Sequence, residues 1–134
     1  MDLFKIARKM TEDSMVSIIK DKVPEEYIPA FEKAVNWDPK TKGWDYSVEK
    51  ACRFVKKGTK PLTHGWREDE LKENAEKYGL ESDGVSAYLP ENRDMAKLLR
   101  WCQDNLTGKD YHYLVGYLSG YPPNEIKDFV QTVK

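Results

Sequence analysis

The chain has 134 residues, of which 40% are hydrophobic and 34% charged, with a net charge of −1. This length and composition fit a globular protein with a core of its own, and the small net charge gives no global attraction to nucleic acid. No apolar run approaches the roughly 20 residues that a membrane span requires, and the charged N-terminus lacks the apolar region of a secretory signal. We therefore expect a cytoplasmic protein that has no membrane partner.

Helical periodicity runs through most of the chain. An apolar stripe from Leu3 to Ile18 predicts the first helix. Thr11 and Ser14 are alternatively caps for a restart, which would divide this stretch into two shorter helices. Pro29 suits the first turn of a second helix, because a proline in a helix interior costs about 3 kcal/mol, and this helix ends near Trp37. The following residues, 38–44, predict a loop.

The middle of the chain alternates predicted helices with turn residues. Asp45 or Ser47 caps a third helix, which Gly58 ends. The segment 59–65 predicts an irregular link, and 67–78 predicts a fourth helix. Gly79 is expected to end this helix, with Leu80 as its apolar contact. Because these links are short, each helix is expected to pack against its neighbour in the sequence.

The segment Val85–Leu89 alternates apolar with small or polar residues, which is typical of a short extended segment. The sequence shows no obvious strand for it to pair with, and a lone strand is unstable. Pro90 then precedes a strongly apolar helix face that includes Leu98. Phe129 lies on the apolar face of the last helix, so both Leu98 and Phe129 are predicted core residues.

Gly120-Tyr121-Pro122-Pro123 separates the last two predicted helices. Gly120 suits the left-handed position that follows a helix, and the two prolines cannot continue that helix. These residue types are explained by a turn between helices, although the same four residues are also compatible with a loop that lines a functional site.

The predicted fold class is all-α. We expect a compact single domain over residues 1–134, built from six or seven short helices with short connections. One short extended segment near 85–89 is the only other regular structure in this prediction.

Established catalytic motifs are missing from the sequence. It contains no phosphate-binding glycine motif, no nucleophile elbow and no zinc-binding histidine pair. Cys52 and Cys102 lie on apolar helix faces, which predicts buried, reduced thiols. We therefore predict no catalytic residue, no metal and no cofactor, with His64 or His112 as the candidates if the protein is an enzyme after all.

A basic, aromatic segment is the most informative feature. Residues 40–67 carry eight basic and two acidic side chains, whereas residues 68–94 carry three basic and nine acidic ones. Basic side chains neutralise phosphates and aromatic faces stack on bases. The predicted binding residues are Trp44, Lys50, Arg53, Lys56, Lys57, Lys60, Trp66 and Arg67.

Three interpretations of this segment remain open. Its basic residues can pair internally with the acidic helix 68–76, they can form a surface for a protein partner, or they can bind nucleic acid. Segregated charge orients a partner and speeds association. We therefore predict a small non-catalytic regulatory or inhibitory protein that binds a protein partner through this charge-segregated surface. Single-stranded nucleic-acid binding through 40–67 is the first alternative, and a small enzyme using scattered carboxylates with His64 or His112 is the second.

Overall fold

The computed structural model describes residues 14–38 and 47–133. Within these residues there are seven α-helices and three short strands. In chain order they are α1 (Ser14–Lys22), α2 (Ile28–Val35), α3 (Val48–Lys56), β1 (Leu62–His64), α4 (Glu68–Lys77), β2 (Glu81–Ser82), β3 (Ser86–Tyr88), α5 (Arg93–Asn105), α6 (Gly108–Leu118) and α7 (Pro123–Thr132). The predictions for residues 1–13, for the loop 39–44 and for Asp45 lie outside the described residues.

The chain is mostly helical, as predicted, but the all-α assignment is wrong because the three strands form a small sheet. The central strand is β3, which confirms the extended segment predicted near 85–89. It pairs antiparallel with β1, where Leu62 faces Tyr88, and with β2, where Glu81 faces the same Tyr88. The partner strands escaped prediction because two or three residues are too few to show an alternating pattern.

Asp83 closes the turn between β2 and β3. Its Oδ1 atom accepts hydrogen bonds from the backbone N–H groups of Val85 and Ser86, at 3.0 and 2.7 Å, and from the Ser86 hydroxyl at 3.1 Å. Gly84 supplies the positive φ of 88° that the turn needs. The hairpin is therefore fixed by one aspartate and one glycine rather than by long strands.

The sheet lies between two clusters of buried side chains. Ala87 belongs to the smaller cluster, which α3 and α4 supply with residues such as Val55 and Leu71. Leu62 and Tyr88 belong to the larger cluster, formed mainly by the other five described helices. Because alternate residues of a strand point to opposite sides, His64 lies on the Leu62 side of the sheet, toward the larger cluster.

Two core predictions are wrong in detail. Ile18 is 49% exposed, whereas the neighbouring Ile19 is only 1% exposed, so the buried face of α1 is shifted by one residue from the predicted stripe. Phe129 is 38% exposed, although Leu98 is fully buried as predicted. None of the helices in the described part of the chain is long and apolar enough to cross a membrane.

Helix ends follow the predicted turn chemistry. Ser47 caps α3, because its Oγ atom accepts the Lys50 N–H at 3.1 Å. After α4, Gly79 has a φ of 69°, and the Leu80 N–H bonds to the Ala75 carbonyl at 2.8 Å. These contacts confirm a glycine-terminated end for α4, with the buried Leu80 as its apolar contact.

The segment 120–123 is a helix-terminating turn, as predicted. Gly120 has a φ of 81°. Its N–H donates to the Tyr117 carbonyl at 3.0 Å, while the Tyr121 N–H donates to the Gly116 carbonyl at 3.2 Å. This pair of bonds is the Schellman arrangement, which satisfies the last carbonyls of α6.

Gly120 also lies against the chain that enters β1. A Cβ atom at this position would lie 2.8 Å from Pro61 Cδ and 3.2 Å from Lys60 Cβ. Such distances are shorter than a normal carbon–carbon contact. The end of α6 and the start of β1 can therefore approach this closely only because residue 120 has no side chain.

We predict that Gly120→Ala destabilises the protein more than Gly58→Ala. Both glycines follow a helix with positive φ, but a Cβ atom on Gly58 would meet nothing within 4 Å. Gly58→Ala should cost about 1 kcal/mol from backbone strain, and Gly120→Ala about 2–4 kcal/mol, because overpacking adds to that strain. Urea unfolding of both variants measures the difference, and equal costs would show that the close approach at Gly120 carries no energetic weight.

Candidate functional site

A cavity of about 290 Å³ lies between β1, α6 and the beginning of α7. We call it the histidine cavity, because both histidines of the chain line it. Its polar lining is Lys60, Thr63, His64, His112, Ser119 and Glu125.

His64 and Ser119 form the hydrogen-bonded centre of the cavity. His64 is the last residue of β1, and Ser119 is the residue that follows the final turn of α6. His64 Nε2 and Ser119 Oγ are 3.1 Å apart, and the direction of the hydrogen bond depends on which ring nitrogen carries the proton. Burial, and to a smaller extent the positive charge of Lys60, lowers the pKa of His64 to about 4. The imidazole is therefore neutral at neutral pH.

Lys60 places a positive charge in the wall of the cavity. Its side chain is almost completely buried, with 2% exposed, and its Nζ atom lies 5.3 Å from the centroid of the Tyr121 ring. Aromatic faces attract cations at such distances. Tyr121, from the turn after α6, therefore contributes both to the end of a helix and to the surroundings of the buried ammonium.

Glu125 and His112 provide the remaining ionisable side chains. Glu125 is half-buried in the first turn of α7, where the helix dipole favours a carboxylate. Its carboxylate takes part in no ion pair or hydrogen bond with the described residues. The His112 ring meets the Phe129 ring edge-on at 5.3 Å. Glu125 thus presents a negative charge to the same cavity that Lys60 lines.

Apolar side chains form the rest of the wall. Val115 and Ile126 come from the two facing helices, and Phe129 and Trp66 add aromatic surface. The helices are close together here, as the position of Gly116 shows. A Cβ atom on this residue would lie only 2.9 Å from Ile126 Cγ1. The exposed fraction of Phe129 is explained by this position at the cavity rather than in the core.

The structure separates the predicted binding residues. Lys60 and Trp66 line the histidine cavity, and the Trp66 indole N–H donates to Thr63 Oγ1 at 2.8 Å. Trp66 is half-buried and packs against the smaller cluster, so it does not extend from the exposed basic surface. Trp44 lies outside the described residues.

The other predicted binding residues lie on α3 or just before α4. The Lys50 Nζ atom is 5.7 Å from the centroid of the Phe54 ring. Arg67 forms an exposed ion pair with Asp69 at 3.0 Å. Arg53, Lys56 and Lys57 lie on α3 or at its C-terminal end. All three are exposed, and none of them forms an ion pair within residues 14–38 and 47–133. We call these three residues the α3 basic face.

Internal pairing between the α3 basic face and the acidic helix is not found among the described residues. α3 and α4 do pack together, but the ion pair between them joins Glu49 of α3 to Lys77 of α4, at 3.3 Å. Lys77 accordingly lowers the pKa of Glu49 through a hydrogen bond and its charge. The observed pairing thus uses the acidic residue of α3 and leaves the α3 basic face exposed.

Both cysteines are buried and reduced, as predicted. Burial raises the pKa of the Cys102 thiol to about 12, so this thiol is protonated at neutral pH. Across the described ranges, no three His, Cys, Asp or Glu side chains converge as a metal site. The chain was compared with models of known families, with curated proteins and with solved structures, and nothing matched. Its function must therefore be inferred from the geometry.

We predict that the free energy of unfolding decreases as the pH falls, because the unfolded chain takes up a proton on His64 more readily than the folded protein does. The pKa of His64 is about 4 in the folded protein and about 6.5 in the unfolded chain, so between these values the unfolded chain binds more protons. Each pKa unit corresponds to about 1.4 kcal/mol, which gives a loss of about 3 kcal/mol when the pH falls from 7 to 4.

The measurement is the free energy of unfolding of wild type and of His64→Gln as a function of pH. Other groups titrate in the same range, so the difference between the two proteins isolates His64. The variant should lose less stability than wild type between pH 6.5 and 4, and parallel curves would contradict a neutral, buried imidazole.

Proposed function

We propose that the protein binds a small molecule in the histidine cavity. The observation that carries this proposal is the convergence of two imidazoles, a buried ammonium, a hydroxyl and a carboxylate on one otherwise apolar cavity. Sites for small ligands have this composition, with apolar and aromatic walls and a few polar groups that fix the orientation of the ligand. The volume of about 290 Å³ suits a small ligand rather than a large cofactor.

Binding is better supported than acid–base catalysis. A serine nucleophile needs a base that accepts its proton, and such a base works best when its pKa is close to the working pH. The pKa of His64 is about 4, because burial and the charge of Lys60 both oppose formation of an imidazolium ion. The pair of His64 and Ser119 is therefore suited to donating and accepting hydrogen bonds. An enzyme that uses His64 or His112 stays a prediction.

We predict that Val115→Met abolishes binding of any ligand that occupies the cavity. The longer side chain projects into the space between α6 and the sheet, and methionine adapts to such gaps without large strain. Ligands can be found with a thermal-shift screen of small polar metabolites, since a ligand at 100 times its Kd stabilises the folded state by about 2.7 kcal/mol.

The matched control is Val48→Met, which makes the same change beside the smaller cluster, away from the cavity. Hits that stabilise wild type and Val48→Met, but not Val115→Met, support the proposal. Hits that stabilise all three proteins equally, or a screen without hits, contradict it.

Binding of a macromolecular partner is the second candidate function, because the α3 basic face is exposed and forms no ion pair with any described residue. Residues 53, 56 and 57 have the spacing that places side chains on one side of a helix. A surface of this kind attracts an acidic protein. For nucleic acid the support is weaker, because Trp66 packs against the smaller cluster and does not extend from the α3 basic face to stack on a base.

We predict that Arg53→Glu combined with Lys57→Glu abolishes capture of an acidic protein partner from cell extract while the fold stays intact. Both residues are exposed, so the stability should change by less than about 0.5 kcal/mol for each. The matched control is Lys97→Glu combined with Lys109→Glu, which makes the same charge change at exposed residues of α5 and α6. Equal capture by both double variants would show that the α3 basic face is not the interaction site.

A further inference from the structure

The carboxylate of Glu125 restricts the chemistry of a ligand in the histidine cavity. Glu125 is half-buried in the first turn of α7, and neither of its carboxylate oxygens accepts a hydrogen bond or joins an ion pair within the described residues. The helix dipole favours a carboxylate at this position, but both oxygens still depend on solvent for their hydrogen bonds. A ligand that displaces this solvent must donate hydrogen bonds to Glu125, because a desolvated carboxylate without donors is costly.

Two parallel N–H donors are the best match to such a carboxylate. Its two oxygens can accept two parallel N–H bonds at once, as carboxylates do from the planar fork of an arginine side chain. A single hydroxyl group donates one hydrogen bond and satisfies only one of the two oxygens. The carboxylate of Glu125 therefore favours a ligand that carries two adjacent N–H groups on a planar frame.

The other walls of the cavity favour an aromatic frame for these donors. Trp66, His112 and Val115 line the cavity. The side chains of Trp66 and His112 are both half-buried, so part of each ring lies at the surface. Aromatic side chains bind planar ligand rings by stacking or by edge contacts, which is how proteins hold nucleobases. The lining thus suits a heteroaromatic ring better than an aliphatic amine.

The charge of Lys60 favours a neutral ring over a cation. Amidinium and guanidinium groups also carry paired N–H donors, but they are positively charged. Lys60 interacts with other groups as well, yet its charge still acts inside the cavity, where it opposes protonation of His64. The same charge opposes the entry of an organic cation, because like charges repel more strongly away from bulk water.

We propose that the ligand is a neutral heteroaromatic base with an amino group next to a ring N–H, which is the donor pattern of guanine and of pterins. This inference rests on the proposed function and assigns a ligand class to the same cavity. The amino group and the ring N–H would donate to the two oxygens of Glu125. The ring itself would pack against Trp66 and His112.

The test compares guanosine with two relatives that lack one or both features of this pattern. Inosine lacks the amino group, and 2-aminopurine riboside lacks the ring N–H and the neighbouring carbonyl. Isocytosine, 4-pyrimidinone and 2-aminopyrimidine form the same series without the second ring and the sugar.

In isothermal titration calorimetry, the first member of at least one series should bind about ten-fold or more tightly than both of its relatives. A loss of this size is expected when a hydrogen bond to a charged group is removed. If neither series shows this preference, or if nothing binds, the inference is overturned.

Benzamidine tests the assignment of a neutral ligand. It carries paired N–H donors on a planar frame, as the proposed ligand does, but it is positively charged. It should bind more weakly than the best neutral probe. Benzamidine that binds as tightly as this probe would show that the cavity accepts a cation and would overturn the assignment of a neutral base.

Glu125→Gln tests the role assigned to the carboxylate. Glutamine has nearly the same size, but an amide nitrogen that donates replaces one of the two accepting oxygens. The preference for the probe with both donors should therefore fall by about ten-fold or more. The matched control is Asp128→Asn, the same kind of change at an exposed residue of α7. An unchanged preference in Glu125→Gln, or an equal fall in Asp128→Asn, overturns the proposal.

These outcomes separate the inference from the proposed function. If the metabolite screen finds hits that Val115→Met abolishes, but none of the hits carries paired N–H donors, the cavity binds small molecules and the assigned ligand class is wrong. If no hit depends on Val115, both proposals fail.

Discussion

The contact between Gly120 and the residues that enter β1 determines where the other parts of the site can lie. Because residue 120 has no side chain, the end of α6 lies directly against Lys60 and Pro61. Lys60, beside this contact, is almost completely buried, and His64, four residues later, lies within hydrogen-bonding distance of the Ser119 hydroxyl. A larger residue at position 120 would move the end of α6 away from β1. It would therefore also move Ser119 away from His64.

The three residues of β1 connect the two clusters with the cavity. Leu62 packs in the larger cluster, Thr63 accepts the indole N–H of Trp66, and His64 enters the cavity. Because a strand alternates its side chains between its two sides, these three residues are enough to reach the larger cluster, Trp66 and the cavity. Pairing with β3 holds this strand in register. The sheet is small, but the orientation of His64 depends on it.

Sequence patterns predicted the local features of this fold and missed the features that depend on distant pairing. The glycine-terminated ends at Gly79 and Gly120 follow from residue type, because few other residues adopt a positive φ without strain. The sheet could not be predicted, since β1 and β3 are short and separated by a whole helix. The phase of α1 was also missed, because Ile18 and Ile19 are both apolar and only tertiary packing decides which of them is buried.

In the candidate site, too, sequence patterns identified single residues but did not predict which distant residues meet. Lys60 and Trp66 were predicted as binding residues, but from their position in a basic, aromatic segment and not from any cavity. His64 and Ser119 are 55 residues apart in the sequence, and no local motif links them. Glu125 has the appearance of an ordinary first-turn carboxylate, a common feature of helices. Their convergence follows from the packing of α6 against β1 and α7, which periodicity within single segments cannot reveal.

The difference in energetic cost between buried and exposed charges explains why the cavity supports a stronger inference than the α3 basic face. Exposed cations such as Arg53 and Lys57 cost folding almost nothing, and surface ion pairs contribute little, so their presence needs no functional explanation. A buried ammonium and a neutral, desolvated imidazole are different, because polar groups lose hydration on burial and apolar residues of similar volume often stabilise a protein more. Proteins commonly keep such destabilising residues where function requires them. Lys60, His64 and Ser119 bring an ammonium, an imidazole and a hydroxyl to one cavity, which is why we place the proposed ligand there.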